Sequence, residues 1–143
     1  MPNRLARLIF RSNVTKESHK RAATAAATGV GPVFPDGHHE IEIKRNTSTG
    51  SHAYTSDAST ANRQKISYNP KKHKSNNADR RIGKLAQTLS HEMYVHARNN
   101  AQRRDQGLPD LSAATEHEQM HAPAHRQGFL DASRRVFKEL DNR

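Results

Sequence analysis

The chain has 143 residues, no Cys, no Trp and a formal net charge of +10, from 24 Lys and Arg against 14 Asp and Glu. The absence of Cys excludes disulfides and thiolate chemistry, leaving His, carboxylate or water to hold any metal; the scarcity of aromatics gives no support to a base-stacking platform; and no apolar run reaches membrane-spanning length. Leu, Ile, Val and Phe number 8, 5, 5 and 4, a thin core for one domain, so a bound metal or protein partner is expected to help order the chain.

Residues 1–100 carry 17 Lys and Arg against 7 Asp and Glu, whereas residues 101–143 carry 7 of each. Such a basic surplus suits nucleic acid, an anionic membrane or an acidic partner protein, and equally suits plain solubility. Leu5 to Phe10, flanked by Arg4 and Arg11, is too short for a signal-peptide core, so no Sec signal is expected. Residues 3–28 can form helix, with Leu5, Leu8 and Ile9 at helical spacing, but little beyond Phe10 is large enough to bury. Residues 1–37 are therefore expected to be a flexible or partner-docking arm, and 38–143 a single domain.

His39 to Arg45, in which Glu40, Glu42 and Lys44 alternate with Ile41 and Ile43, predicts a half-buried strand. Gln64 to Asn69 predicts a second strand, stopped by Pro70, with a long loop or short hairpin between. From Asp79 the pattern turns helical: Ile82, Leu85, Leu89, Met93 and His96 share one stripe. Residues 99–110 read as a loop, and Phe129, Ala132, Val136, Phe137 and Leu140 as the core face of a last helix. The fold class expected is α+β: a small antiparallel sheet of two or three strands packed on the 79–100 helix and the C-terminal helix.

The chemistry concentrates in His91-Glu92-Met93-Tyr94-Val95-His96. Neutral imidazoles bind zinc or a similar ion, and a neighbouring Glu can take a proton from water that the ion acidifies. The familiar spacing, H-E-x-x-H, sets both His about 40° apart on one helix face. Here the two His are five apart, roughly 140° on a regular helix, so a π-bulge or a helix end is needed to bring both to one ion. A second cluster, Glu116-His117-Glu118-Gln119-Met120-His121, matches H-E-x-x-H to the letter, but Pro123 leaves it only a short helix, and Thr115 with Glu118 also reads as a capping box. The two clusters are read as one site: His91, His96 and His117 as ligands of a single Zn2+ ion, His121 as second choice for the third ligand, and Glu92 as general base. That His117, Glu118 and His121 are themselves the principal motif stays open.

Ile66, Tyr68, Asn69 and Pro70, followed by Leu89, His91, Glu92, His96 and Ala97, resemble the metallopeptidase toxin and effector domains of bacterial polymorphic-toxin and secretion systems, in which an I-x-Y-N-P strand precedes a helix carrying L-x-H-E and then His-Ala. The resemblance spans roughly residues 64–121. It implies a zincin-like fold, zinc held by His91 and His96 with a further ligand near Glu116 and His117, and water activated by Glu92. It also implies a secreted effector acting in a target cell, carried as the C-terminal payload of a larger protein, cutting a protein substrate there and held inactive by an immunity or chaperone protein.

Three functions follow as expectations. The first is a zinc-dependent peptidase toxin. The second is a metal-dependent nuclease toxin, for which the basic surplus and abundant His speak. The third is a non-enzymatic module that binds nucleic acid or a partner through its basic surface.

Overall fold

A computed structural model describes residues 7–31, 40–48, 50–55, 63–73, 75–109 and 113–141. Four strands, β1 (Arg7–Phe10), β2 (Glu40–Arg45), β3 (Ala53–Thr55) and β4 (Arg63–Tyr68), form one sheet in the order β1-β2-β4-β3. Five helices accompany it: α1 (Glu17–Val30), α2 (Ala78–His91), α3 (Arg98–Asp105), α4 (Ala113–Gln119) and α5 (Pro123–Asp141), with a π-helical turn, Glu92–Ala97, joining α2 to α3. The class is α+β, as the patterning implies.

The sheet is mixed, not antiparallel. β1 pairs with β2 and β2 with β4 in parallel, and only β3 with β4 is antiparallel. Parallel neighbours need a crossover connection, and α1 supplies it between β1 and β2. The alternation in β2 puts Ile41 and Ile43 at 0% and 1% exposure, and its partner Ile66 is equally buried. Glu42, also buried, faces the Arg11 guanidinium at 3.7 Å.

The arm expected over residues 1–37 is, in its described part, integral to the core. β1 forms one edge of the sheet, and Ala22, Ala23 and Ala26 of α1 are fully buried. A count of large apolar side chains misses this helix, because its contribution is closeness: rows of Ala let α1 pack tightly against α2 and α5. Gly29 marks the closest approach, since a Cβ there would lie 2.7 Å from Val136 Cα, and Arg135 Nε donates to the Gly29 carbonyl at 2.7 Å.

The stripe of α2 behaves as the periodicity demands. Leu85, Leu89 and, in the next turn, Met93 are at most 3% exposed, and Asn77 caps the helix by accepting from Arg80 N–H at 3.1 Å. The loop expected over 99–110 is helical as far as Asp105, because the π turn leads directly into α3. Thr115 lies inside α4 and so does not cap it. Pro123 ends nothing; it opens α5, where its missing N–H is harmless. Of α5, Ala132, Val136 and Leu140 enter the core, while Phe137 is 41% exposed.

Candidate metal centre

The five-residue spacing of His91 and His96 is resolved by the π turn. The Arg98 N–H donates to the Met93 carbonyl, five residues back, so the turn between them is one residue wider than an α-turn. Residues five apart then fall about one turn apart, and the two imidazoles come to the same side, with ring centroids 5.2 Å apart. α4 brings His117 to them from the other side. One nitrogen from each of His91, His96 and His117 lies within 4.8 Å of the others.

The individual distances suit a small cation. His96 Nε2 and His117 Nε2 are 3.1 Å apart, close to the roughly 3.3 Å that separates two ligands on a tetrahedron with bonds of about 2.05 Å. His96 Nδ1 lies 3.0 Å from Glu116 Oε1. A carboxylate only accepts, so Nδ1 carries the hydrogen, and the Nε2 lone pair is turned toward the cluster. Glu116 is itself fixed by Asn99 Nδ2, which donates to its other oxygen at 2.9 Å.

Electrostatics act in opposite directions on His91 and His96. Burial, reinforced by the charges His96 and His117 can carry, pushes the His91 pKa down to about 4, so its ring is neutral near pH 7. For His96 burial pulls the same way, but the hydrogen bond it donates to Glu116 and the carboxylates of Glu92 and Glu116 outweigh it and raise the pKa. Glu92, 5% exposed, is pushed up by burial against the opposing pull of His96. Its Oε2 is 3.9 Å from His96 Nε2, and its Oε1 accepts from the Thr55 hydroxyl at 3.0 Å. A buried carboxylate with a raised pKa beside three imidazoles is suited to taking up and releasing a proton.

The cluster sits in a cleft of about 980 Å³. β3, at the edge of the sheet, lines it with Ala53, Tyr54 and Thr55, and α2 with Lys84, Gln87 and Thr88, while the Phe129 ring stands edge-on to that of His91 with centroids 6.0 Å apart. His52, Lys72 and His73 also line it.

The residues expected at the site therefore divide. His91, Glu92, His96 and His117 converge. Glu118 and His121 do not: both are exposed, on and just after a helix of seven residues, and neither lines the cleft. The reading that His117, Glu118 and His121 form the principal motif is thereby set aside. Three roles are not legible in the sequence. Glu116 orients His96, and Thr55 holds Glu92. His73 is the third: its Nδ1–H donates to the Asn69 carbonyl at 2.9 Å, leaving Nε2 to accept from the Thr88 hydroxyl at 2.9 Å. This explains the Tyr68-Asn69-Pro70 stretch physically. Asn69 also caps the turn at Pro70 by accepting from Lys71 N–H, so the end of β4 is tied through His73 to α2, three residues before His91. Tyr68, 1% exposed, locks the same corner through a 2.9 Å bond between its hydroxyl and His19 Nδ1.

No protein-family model, no curated protein and no solved structure matches this chain. Among the described residues no helix is long and apolar enough to cross a membrane.

Proposed function

We propose that this chain is a zinc-dependent peptidase of zincin-like character, a toxin or effector domain acting on a protein target. The observation that carries the reading is the convergence of His91, His96 and His117 within 4.8 Å beside the buried carboxylate of Glu92. Three imidazoles leave a fourth position on a tetrahedral ion, the arrangement of a catalytic zinc site. Zinc bound there would supply Lewis acidity toward a carbonyl oxygen and acidify water. Glu92 would take the proton of the attacking water and return it to the leaving amine, which its raised pKa favours. Thr55 positions the carboxylate for this, and Glu116 fixes the tautomer of His96. The cleft, bounded on one side by an edge strand, accommodates an extended peptide. Secretion into a target cell and restraint by an immunity protein belong to the same reading, by the resemblance of residues 64–121.

Metal content and peptidase activity test it together. Purified without a metal-binding tag, the protein is expected to hold about one zinc per chain and to cleave unstructured protein. Glu92→Gln is expected to keep the zinc and lose activity by about 100-fold or more. Zinc-free wild-type protein that remains folded, or an active Glu92→Gln variant, would end the proposal. A nuclease is the second reading, favoured by Lys72 and Lys84 at the cleft; degradation of plasmid or total RNA with no effect on protein would establish it instead.

A further inference from the structure

Cations gather at a second cavity. A pocket of about 380 Å³ is lined by Thr15, Lys16, His19, Arg45, Pro70 and Lys71, with no carboxylate among them. None of these residues lines the histidine cleft.

Three segments meet here: the turn into α1, the end of β2 and the turn after β4. Hydrogen bonds fix them to one another. Asn13 holds both backbone groups of Arg45, donating to its carbonyl at 2.6 Å and accepting from its N–H at 3.2 Å. The Asn46 N–H donates to the Tyr68 carbonyl at 2.8 Å, and Asn69 accepts from the Lys71 N–H at 3.0 Å. At Arg45 and Lys71 these bonds use only backbone, so the cationic heads take no part in holding the pocket together. Among the described residues no carboxylate forms an ion pair with Lys16, Arg45 or Lys71, whereas Arg7, Arg11, Lys20 and Arg134 each have one. Glu17, next to Lys16 in sequence, has a side chain 89% exposed and pairs with Lys20.

His19 registers the resulting potential. Burial lowers its pKa first, and the charges of Lys16, Arg45 and His73 lower it further, so the ring is neutral near pH 7. Its Nδ1 lies 2.9 Å from the hydroxyl of Tyr68, a phenol whose pKa is pushed up to about 12 by burial. When that hydroxyl donates to Nδ1, the ring hydrogen sits on Nε2 as a further donor.

Cations gathered without a counter-charge repel one another, and a bound anion relieves the repulsion. A guanidinium fork, two ammonium groups, a hydroxyl and a ring N–H suit the tetrahedral dianion of a phosphate better than a planar carboxylate. The volume lies at the lower end of small-molecule sites and exceeds what phosphate alone fills. No Phe, Tyr or Trp lines it, so a nucleobase finds nothing to stack on. We propose that this pocket binds the phosphomonoester of a sugar or polyol, whether a soluble molecule or a lipid headgroup. The site shares no residue with the metal centre and stands or falls apart from the peptidase reading.

Titration calorimetry with glucose 6-phosphate tests it. Wild type and Glu92→Gln alike are expected to bind one molecule per chain with a Kd on the order of 0.1 mM, inorganic phosphate about tenfold more weakly and glucose not at all. Arg45→Gln/Lys71→Gln should weaken binding about tenfold or more with Tm and circular dichroism unchanged. Arg80→Gln/Lys138→Gln removes the same charge at exposed positions outside the pocket and should bind as wild type. Vesicles carrying a phosphoinositide separate the sources. Retention on them that inositol phosphate competes away supports a lipid headgroup, and glucose 6-phosphate binding without vesicle retention supports a soluble ligand. Equal weakening in the two double variants, tighter binding of AMP or of single-stranded oligonucleotide, or no binding of any phosphate overturns the proposal.

Discussion

Two stretches of this chain carry His-Glu followed by a second His, and the structure treats them oppositely. Residues 117–121 have the spacing that a regular helix requires, yet α4 ends at Gln119 and both Glu118 and His121 face solvent. Residues 91–96 have a spacing that a regular helix forbids, yet the π turn gathers both imidazoles over the core, with Glu92 and His96 buried. Letters at a fixed interval specify a site only through the local helix geometry and through the burial that makes ligand orientation worth fixing.

Substitution should expose this contrast most directly. His91→Ala/His96→Ala is expected to take bound zinc from about one per chain to none, as read by elemental analysis. Glu118→Gln/His121→Ala should leave zinc content and activity at wild-type levels; loss of zinc there would reverse the assignment of the two stretches. A large effect is also expected at the crossing of α1 and α5. Gly29→Ala forces a methyl group against the Val136 backbone, and overpacking of this kind costs about 1–3 kcal/mol, a fall of several degrees in Tm by calorimetry. Were residues 1–37 an appendage, that substitution would be silent.

The pH dependence of the metal-free protein separates the ligands further. The folded pKa of His91 is about 4, against an ordinary 6.5. Between these values the unfolded chain holds a proton that the folded chain lacks, so the stability this group contributes above pH 6.5 is lost as the pH falls toward 4. His96 runs the other way: its raised pKa favours the folded state at low pH, and that contribution is lost as the pH rises through the raised value. Thermal melts from pH 7 to 4 in chelator should therefore show an acid decline that His91→Gln flattens. An unchanged decline would place the destabilising proton elsewhere. The smallest effect belongs to Thr55→Val, which removes one hydrogen bond to Glu92 worth about 1 kcal/mol. It should lower kcat about fivefold with zinc retained, and an unchanged kcat would show that Glu92 is held without it.

Much of this site was legible before the fold was known. Imidazoles and a carboxylate announce themselves by type, and the stripe from Ile82 to Met93 places them on a helix that faces the core. The need for a π-bulge or a helix end follows from angular arithmetic alone, and the structure has the first of these. The rest depended on contacts distant in sequence. Glu116 adjoins His117 but acts on His96, twenty residues earlier, and Thr55 reaches Glu92 across thirty-seven. The parallel pairing of β1, β2 and β4 is not legible, because strand periodicity reports which face is buried and says nothing of direction. Hydrophobic counting makes the N-terminal segment look like an arm because it gives little weight to Ala, whereas in α1 the small size of Ala is what permits close packing.

The Glu92–Ala97 turn holds one residue more than an α-helix would use for the same ligands. Seen as a ruler, it shifts the marks by one: a pattern that fixes the gap between His-Glu and the next His at two residues passes over residues 91–96 and stops at 117–121. Recognition of such sites from letters alone therefore needs a gap of elastic length, together with a requirement that the intervening residues, here Met93, Tyr94 and Val95, be apolar enough to be buried.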